Sequence, residues 1–373
     1  MIAPLRAGLP FNPLRRRLLA TGLAGLAGLS GARQVRALPL PMVFPRDYGS
    51  HPDFRTEWWY ITGYANAADP AGPREFGFQL TFFRSRVAAT QDMKSAFAAK
   101  QLIFAHAALT DVRGKKLVHD QRIARSSGAA GFDLASASES DTAITLRDWS
   151  LVHEGRRYSA TLPAAGFGLD LQFSETQTVL LQGDRGLSRK GPQPAQVSHY
   201  YSQPHLAVRG ALRLDKQSFT IASGGAWLDH EWSDELLDPQ ATGWDWIGMN
   251  LDDGGALTAF RVRDKAGNAL WDGGSYRSAA GDLRNFRRGE VTFSPQRRWK
   301  SPSTQTVYPV RWSVLTPAGA YMVGAIIDNQ ELDSRASTGA IYWEGLSDLF
   351  DSGGRRVGRG YLEMTGYTQP LRL

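Results

Sequence analysis

The chain repeatedly alternates apolar and polar residues with a period of two, and a segment written that way has one continuous apolar face only as a β-strand. The pattern recurs over residues 75–83, 101–109, 142–152, 158–162, 169–173, 206–212, 218–221, 256–262, 310–315 and 321–326. These runs are rich in β-branched and aromatic residues, and Gly, Asp and Pro punctuate them. Helical periodicity is scarce: residues 346–350 read as one helical turn, and 91–100 as a short helix or a mobile crossing loop. So many short strands predict an all-β chain of antiparallel barrels or sandwiches and argue against a parallel α/β fold.

Residues 1–37 stand apart. Arg15-Arg16-Arg17 precede a Leu/Ala/Gly stretch over 18–32, and Val35-Arg36-Ala37 offers a small-residue cleavage site, the plan of an export signal. Arg15-Arg16-x-Leu18-Leu19 resembles the twin-arginine motif of proteins exported already folded. The apolar stretch, diluted by glycines at 22, 25, 28 and 31, is shorter than the roughly 20 residues that a membrane span needs. The expectation is therefore a periplasmic or secreted protein with no integral span after signal removal. Those 37 residues carry six arginines and no acid, so without them the net charge falls from +7 to +1. With that excess goes the argument for nucleic acid as a partner.

The 336 residues after position 37 exceed what one hydrophobic core usually serves, so two domains are expected. The loop over 234–242 is the expected boundary, giving an N-terminal domain over 38–235 and a C-terminal one over 236–373. Tyr60-Ile-Thr-Gly-Tyr64 and Glu363-Met-Thr-Gly-Tyr367 form a faint internal echo. The chain has no cysteine, which rules out disulfides, thiolate catalysis and Cys-ligated metal. Stability must come from the core alone, and 11 tryptophans and 17 phenylalanines can supply it.

Seven of those tryptophans fall in four short segments: Glu57-Trp58-Trp59-Tyr60, Trp227-Leu-Asp229-His230-Glu231-Trp232, Trp244-Asp245-Trp246 and Tyr342-Trp343-Glu344. Each segment also holds a carboxylate. As strands, they would place Glu57 and Trp59 opposite Trp58 and Tyr60, and Trp227, Asp229 and Glu231 opposite Leu228, His230 and Trp232. Asp245 would oppose its flanking tryptophans, and Tyr342 and Glu344 would share a side. A carboxylate beside indoles is costly to bury unless it is hydrogen-bonded, paired or protonated. Two readings follow. In one, the tryptophans fill a core and the acids bond indole N–H groups, arginines or turns. In the other, they wall an apolar cavity in which a desolvated, protonated carboxyl gives its proton to an alkene and ring faces stabilise the carbocation.

His230 is either a satisfied core histidine or a catalyst beside two acids. Asp229, His230 and Glu231 are consecutive, point to alternate faces and cannot all reach one ion, so no metal and no cofactor are expected. His199-Tyr200-Tyr201-Ser202-Gln203-Pro204 follow a Gly/Pro-rich loop over 183–197, either as a polar grip on a ligand beside a lid or as an ordinary strand start. Residues 47–52 are a similar element or an ordered loop, and 351–356 read as a turn. No Gly-x-Ser-x-Gly, phosphate-binding loop or dinucleotide fingerprint follows a strand.

In order along the chain, Glu57-Trp-Trp-Tyr-Ile-Thr-Gly63, His199-Tyr-Tyr-Ser-Gln-Pro204, Gly225-Ala-Trp-Leu-Asp-His-Glu-Trp232, Gly243-Trp-Asp-Trp246, Tyr342-Trp-Glu-Gly345 and Gly360-Tyr-Leu-Glu-Met-Thr-Gly-Tyr367 resemble the AttH-type lipocalin-like family, which includes bacterial carotenoid 1,2-hydratases. The resemblance implies two lipocalin-like, calycin-type antiparallel β-barrel domains whose Trp-rich motifs approach each other. In its hydratase members an acid near the Asp-His-x-Trp segment protonates a terminal isoprenoid double bond and water adds. That maps the catalytic role onto Asp229 and His230, with Asp245 as the other acid. Ligand binding falls to Glu57, Trp58, Trp59, Tyr60, His199, Tyr201, Glu231, Trp232, Trp244, Trp246, Tyr342, Trp343 and Glu344. The family also implies two other roles: a non-catalytic lipid carrier, in some members tied to ABC-transporter permeases, and a secreted hydrolase. The partner common to the first two readings is a hydrophobic small molecule or lipid.

Overall fold

The computed structural model describes residues 41–371 apart from 71, 129–132 and 236; the expected export signal over 1–37 lies outside the described residues. Along Arg157–Ala164 every second side chain is buried, from Tyr158 to Ala164, while Arg157, Ser159, Thr161 and Pro163 face solvent. That is the period-two rule in its simplest form.

Thirteen strands form a first antiparallel sheet: β1 (Thr56–Ala67), β2 (Arg74–Arg86), β3 (Gln101–Asp111), β4 (Lys116–Ser126), β5 (Ala135–Ala137), β6 (Ala143–Leu146), β7 (Trp149–Glu154), β8 (Arg157–Ala164), β9 (Phe167–Ser174), β10 (Leu180–Leu181), β11 (Leu187–Arg189), β12 (Val197–Leu214) and β13 (Gln217–Glu235). Their order is β4-β3-β2-β1-β13-β12-β9-β8-β7-β6-β5, with β10 and β11 added to β12. The end strands β4 and β5 approach each other, so this sheet is a nearly closed barrel. Ten more strands form the second sheet: β14 (Gly243–Leu251), β15 (Ala256–Arg263), β16 (Ala269–Arg277), β17 (Leu283–Phe286), β18 (Thr292–Lys300), β19 (Val307–Thr316), β20 (Gly319–Ala325), β21 (Glu331–Ser334), β22 (Ala340–Phe350) and β23 (Arg356–Met364). Their order is β17-β16-β15-β14-β23-β22-β20-β19-β18, with β21 on β22. The fold is all-β and lipocalin-like.

Each sheet has its own core, around Trp59, Phe78, Leu80 and Trp149 in the first and Ile247, Trp312, Trp343 and Leu362 in the second. A third apolar layer joins them, centred on Tyr60, Trp227, Trp246, Phe260, Leu346 and Tyr361. Gly77 sits where the sheets meet; a Cβ there would lie 2.9 Å from the Tyr361 hydroxyl and 3.0 Å from Leu346 Cβ.

Two local expectations change, and one that offered alternatives is decided. Residues 346–350 form part of β22, not a helical turn. Leu346 packs between the sheets and Leu349 in the second core, so both faces are apolar and the alternation that marks a strand is lost. Residues 142–152 are two strands, because Arg147 takes a positive φ of 56° and turns the chain between β6 and β7. Residues 91–100 hold turns and no helix.

Candidate functional site

Alternation on β1 and β13 turns one face of each strand toward the first core and the other toward the second sheet. Trp58 and Tyr60 on β1, and Trp227, Asp229 and Glu231 on β13, take the second orientation. The antiparallel register stacks them in two rows, Trp58 beside Glu231 beside Tyr200, and Tyr60 beside Asp229 beside Ser202. From the second sheet Trp244 and Trp246 on β14, Tyr342 and Glu344 on β22, and Glu363 on β23 come to meet them. Glu344 lies directly across the ladder from Glu363, and Glu363 across from Trp246. Between these walls is a cavity of about 340 Å³, with Phe83, Phe104 and Phe260 completing its apolar lining. The ligand-sized space thus lies between the sheets, against their outer faces, and the barrel interior is filled by side chains.

The carboxyls in this cavity differ in their partners. Asp229 accepts three hydrogen bonds, from Tyr200 Oη at 2.7 Å, Ser202 Oγ at 2.5 Å and Trp227 Nε1 at 2.7 Å. Among the described residues no cation pairs with it; burial pushes its pKa up to about 7 against those bonds, and the charge of Glu231 adds to the rise. Glu231 is ion-paired, with Lys190 Nζ 2.9 Å from its Oε1. Glu344 is 2 % exposed, and its Oε1 has no hydrogen-bond partner. Burial, then the charge of Glu363, hold its carboxyl well above the usual range; the Tyr60 hydroxyl faces it without closing a hydrogen bond. In Glu363 burial pushes the pKa up to about 7, opposed by Trp244 and reinforced by the charges of Asp229 and Glu231. His106, also in the lining, is kept neutral by burial, its pKa down to about 3. Its Nδ1 lies 2.7 Å from Tyr342 Oη and its Nε2 2.8 Å from Ser337 Oγ, a bridge between the sheets.

The structure therefore brings together Trp58, Tyr60, Asp229, Glu231, Trp244, Trp246, Tyr342 and Glu344. It places the other expected site residues elsewhere. Glu57 is fully buried on the barrel side of β1, where its carboxylate meets Arg84 Nε at 2.7 Å, His51 Nδ1 at 2.8 Å and His230 Nε2 at 2.9 Å. Burial alone would raise its pKa, but the hydrogen bonds of His230 and His51 and nearby positive charge hold it well below the ordinary carboxylate range. His230 is bonded on its other side to the Tyr201 hydroxyl at 3.0 Å, and burial lowers its pKa to about 4. Trp59 stacks on His230, and both His51 and His199 stack on Trp232. Trp343 belongs to the second core and donates to Asp328 O. Asp245 is fully buried on the far face of β14, held by Arg261 Nε at 2.7 Å, Arg263 Nε at 3.4 Å and the Tyr367 hydroxyl at 2.8 Å. The alternation that sends Trp244 and Trp246 into the cavity turns Asp245 away from it.

The described residues that group as a cation could require are His51, Glu57 and His230, whose ligand atoms lie within 4.8 Å of one another. In this structure both imidazoles instead share Glu57 Oε1 as hydrogen-bond partner, and Arg84 holds Oε2. Asp229 and Glu231 face away from this group.

Among the lining residues, sequence reasoning missed the ionisable side chains of Lys190, His106 and Glu363 and the rings of Phe83, Phe104 and Phe260, whereas Tyr200 lay in the cluster over 199–204 weighed as a polar grip. Glu363 carried a signal, since it opens the second copy of the internal echo whose first copy opens with Tyr60. Lys190 carried none; it comes from the Gly/Pro-rich loop, whose short β11 pairs with β12 and seats the lysine in the lining.

No curated protein sequence matches the chain. A solved structure of a protein assigned as AttH from Nitrosomonas europaea is 46% identical, with a TM-score of 0.80, covering 88% of this chain and 98% of that one. Kievitone hydratase from Nectria haematococca matches at 13% identity and a TM-score of 0.65, over 89% of this chain and 94% of its own. CghA matches at 13% identity and a TM-score of 0.52, over 90% and 96%. Those two distant likenesses concern the fold. The AttH-like family model matches residues 36–367 and so spans both sheets, and by that match the chain belongs to the AttH-like family.

Proposed function

We propose that the chain is a cofactor-independent hydratase that adds water to a C=C bond of an apolar, isoprenoid-like ligand held between the sheets. The observation that carries this is a set of three carboxyls, those of Asp229, Glu344 and Glu363, that form no ion pair among the described residues and surround one aromatic-walled cavity. Glu344, sharing a proton with Glu363 across the ladder, is the acid. Its O–H gives the proton to one alkene carbon, a C–H bond forms, and positive charge develops on the neighbouring carbon. The faces of Trp58, Trp244 and Trp246 attract that charge. Water attacks the cation, a C–O bond forms, and the surplus proton passes to Asp229, whose three hydrogen bonds favour its ionised form. The proton returns to the Glu344/Glu363 pair through solvent, and the balance is alkene plus water to alcohol. Asp245 and His230 take positioning and structural roles in this scheme, away from the reacting atoms. The fold shared with kievitone hydratase supports the reading by analogy.

We read the two sheets as two domains joined through residues 236–242, and residues 1–37 as an export signal. N-terminal sequencing of protein from the periplasmic fraction tests the second point, and a chain retaining residues 1–37 would refute it. For catalysis, the protein is incubated with short isoprenoid alkenes in ¹⁸O-water. Labelled alcohol is expected from the wild type, with Glu344→Gln and Asp229→Asn slower by about 10²–10⁴-fold. Wild-type turnover in both variants would sink the assignment. A lipid that co-purifies and stays chemically unchanged, with no label taken up, would favour the carrier reading and an ABC-transporter partner.

A further inference from the structure

The wall of the cavity already holds one alkylammonium group. Lys190 Nζ lies 4.5 Å from the centroid of the Tyr200 ring and 4.4 Å from that of Phe260, with Glu231 Oε1 at 2.9 Å. Two aromatic faces and one carboxylate surround the charge, the combination that best attracts a desolvated cation. The rest of the cavity repeats the ingredients without a cation. Trp58, Tyr60, Trp244 and Trp246 supply rings, and Glu344 and Glu363 supply carboxyls, across from the lysine. Glu344 Oε1 is buried with no hydrogen-bond partner. Among the described lining residues the cations are Lys190 and Arg55, and Arg55 is exposed.

We infer that the Glu344/Glu363 side of the cavity is a binding site for the head group of a lipophilic ammonium ligand, and that it discriminates against lipophilic carboxylates. An ammonium nitrogen there takes the place that Lys190 takes against Glu231, with its alkyl chain along Phe83 and Phe104. A fatty acid would instead bring a like charge toward carboxyls that no cation compensates. The inference rests on the hydratase reading in one respect: the ammonium occupies the position where protonation of an alkene would create positive charge, so such ligands act as inhibitors that resemble the cationic intermediate.

The test is a titration of tryptophan fluorescence with three probes of one chain length, octyltrimethylammonium, octanol and octanoate, all as monomers in solution. In the wild type the ammonium is expected to bind at least about tenfold tighter than octanol, and octanoate more weakly than octanol. In the double variant Glu344→Gln/Glu363→Gln, octanol binding is retained and the ammonium advantage falls to about threefold or less. Octanol equal to or tighter than the ammonium in the wild type overturns the inference by itself. So does an undiminished advantage in the double variant or, should that variant not fold, in Glu344→Gln. Label uptake from ¹⁸O-water, measured on the same preparations, separates the two ideas. Ammonium preference without turnover keeps this site and removes the hydratase; turnover without ammonium preference does the reverse.

Discussion

Asp229→Asn should make the protein less stable than wild type in acid and more stable in alkali. The carboxyl titrates near 3.8 in an unfolded chain and about 7 in the folded one, because burial outweighs its three hydrogen bonds. Between those values the folded state holds a proton that the unfolded state has released. Stability contributed by that proton is fully present below pH 3.8 and is lost as pH rises through 7. Each pH unit in the window costs about 1.4 kcal/mol, so the penalty for keeping Asp229 folded and ionised reaches roughly 4 kcal/mol by pH 8. Asparagine never ionises and avoids it. In exchange its amide meets donors from Tyr200, Ser202 and Trp227 with one acceptor oxygen, at a pH-independent cost of about 1–3 kcal/mol. Urea unfolding of both proteins at pH 4, 6 and 8 isolates the effect, since groups unaffected by the substitution cancel in the difference. The variant is expected to be weaker at pH 4 and stronger at pH 8, with the crossover between. Loss of the Asp229 charge also eases Glu363, which pushes the difference the same way. A stability difference that stays constant within about 0.5 kcal/mol across the series would refute the argument that this carboxyl is held out of water without a cation.

Other outcomes follow from the same geometry. The acid limb of the hydration rate should have its midpoint near 7, where Asp229 becomes ionised, and Tyr200→Phe should move it up by about 1–2 pH units by removing one hydrogen bond to the carboxylate. A pH–rate profile of both proteins decides this. Arg84→Met should destabilise the protein by about 3–5 kcal/mol in urea, because Arg84 is 1 % exposed and its loss leaves Glu57 buried without that partner. Asp245→Asn should also weaken folding, through Arg261 and Arg263, yet leave octanol affinity within about twofold, since Asp245 does not line the cavity.

The sequence made the sidedness of the site legible and left its orientation unreadable. Alternation alone groups Trp227, Asp229 and Glu231, pairs Trp58 with Tyr60, and pairs Tyr342 with Glu344; all of these line the cavity except Trp227, which packs in the apolar layer between the sheets. What alternation cannot say is which of two buried faces is the core. Glu57 and Glu231 look alike in sequence, each an acid beside tryptophan, but one meets Arg84 and two histidines inside a barrel and the other meets Lys190 between the sheets. Asp245 lies opposite Trp244 and Trp246, as alternation places it, and so outside the cavity that those two rings line; only the resemblance gives it a role there. Glu363 becomes visible only through the register that sets it opposite Glu344, and Lys190 only through the loop that packs it against Phe260 on the other sheet. Both are long-range contacts without a local pattern.

Because the cavity lies against the outer faces of two sheets, the residues that line it are not the residues that form the core of either sheet. On β1 the side chain that packs the core, Trp59, and the one that lines the cavity, Trp58, are neighbours in sequence with separate duties. Substitution at Trp58, Phe104 or Phe260 can therefore reshape the cavity while the interiors around Trp149 and Trp312 stay packed. Such a scaffold can change the shape and chemistry of that cavity over evolutionary time without passing through an unfolded ancestor.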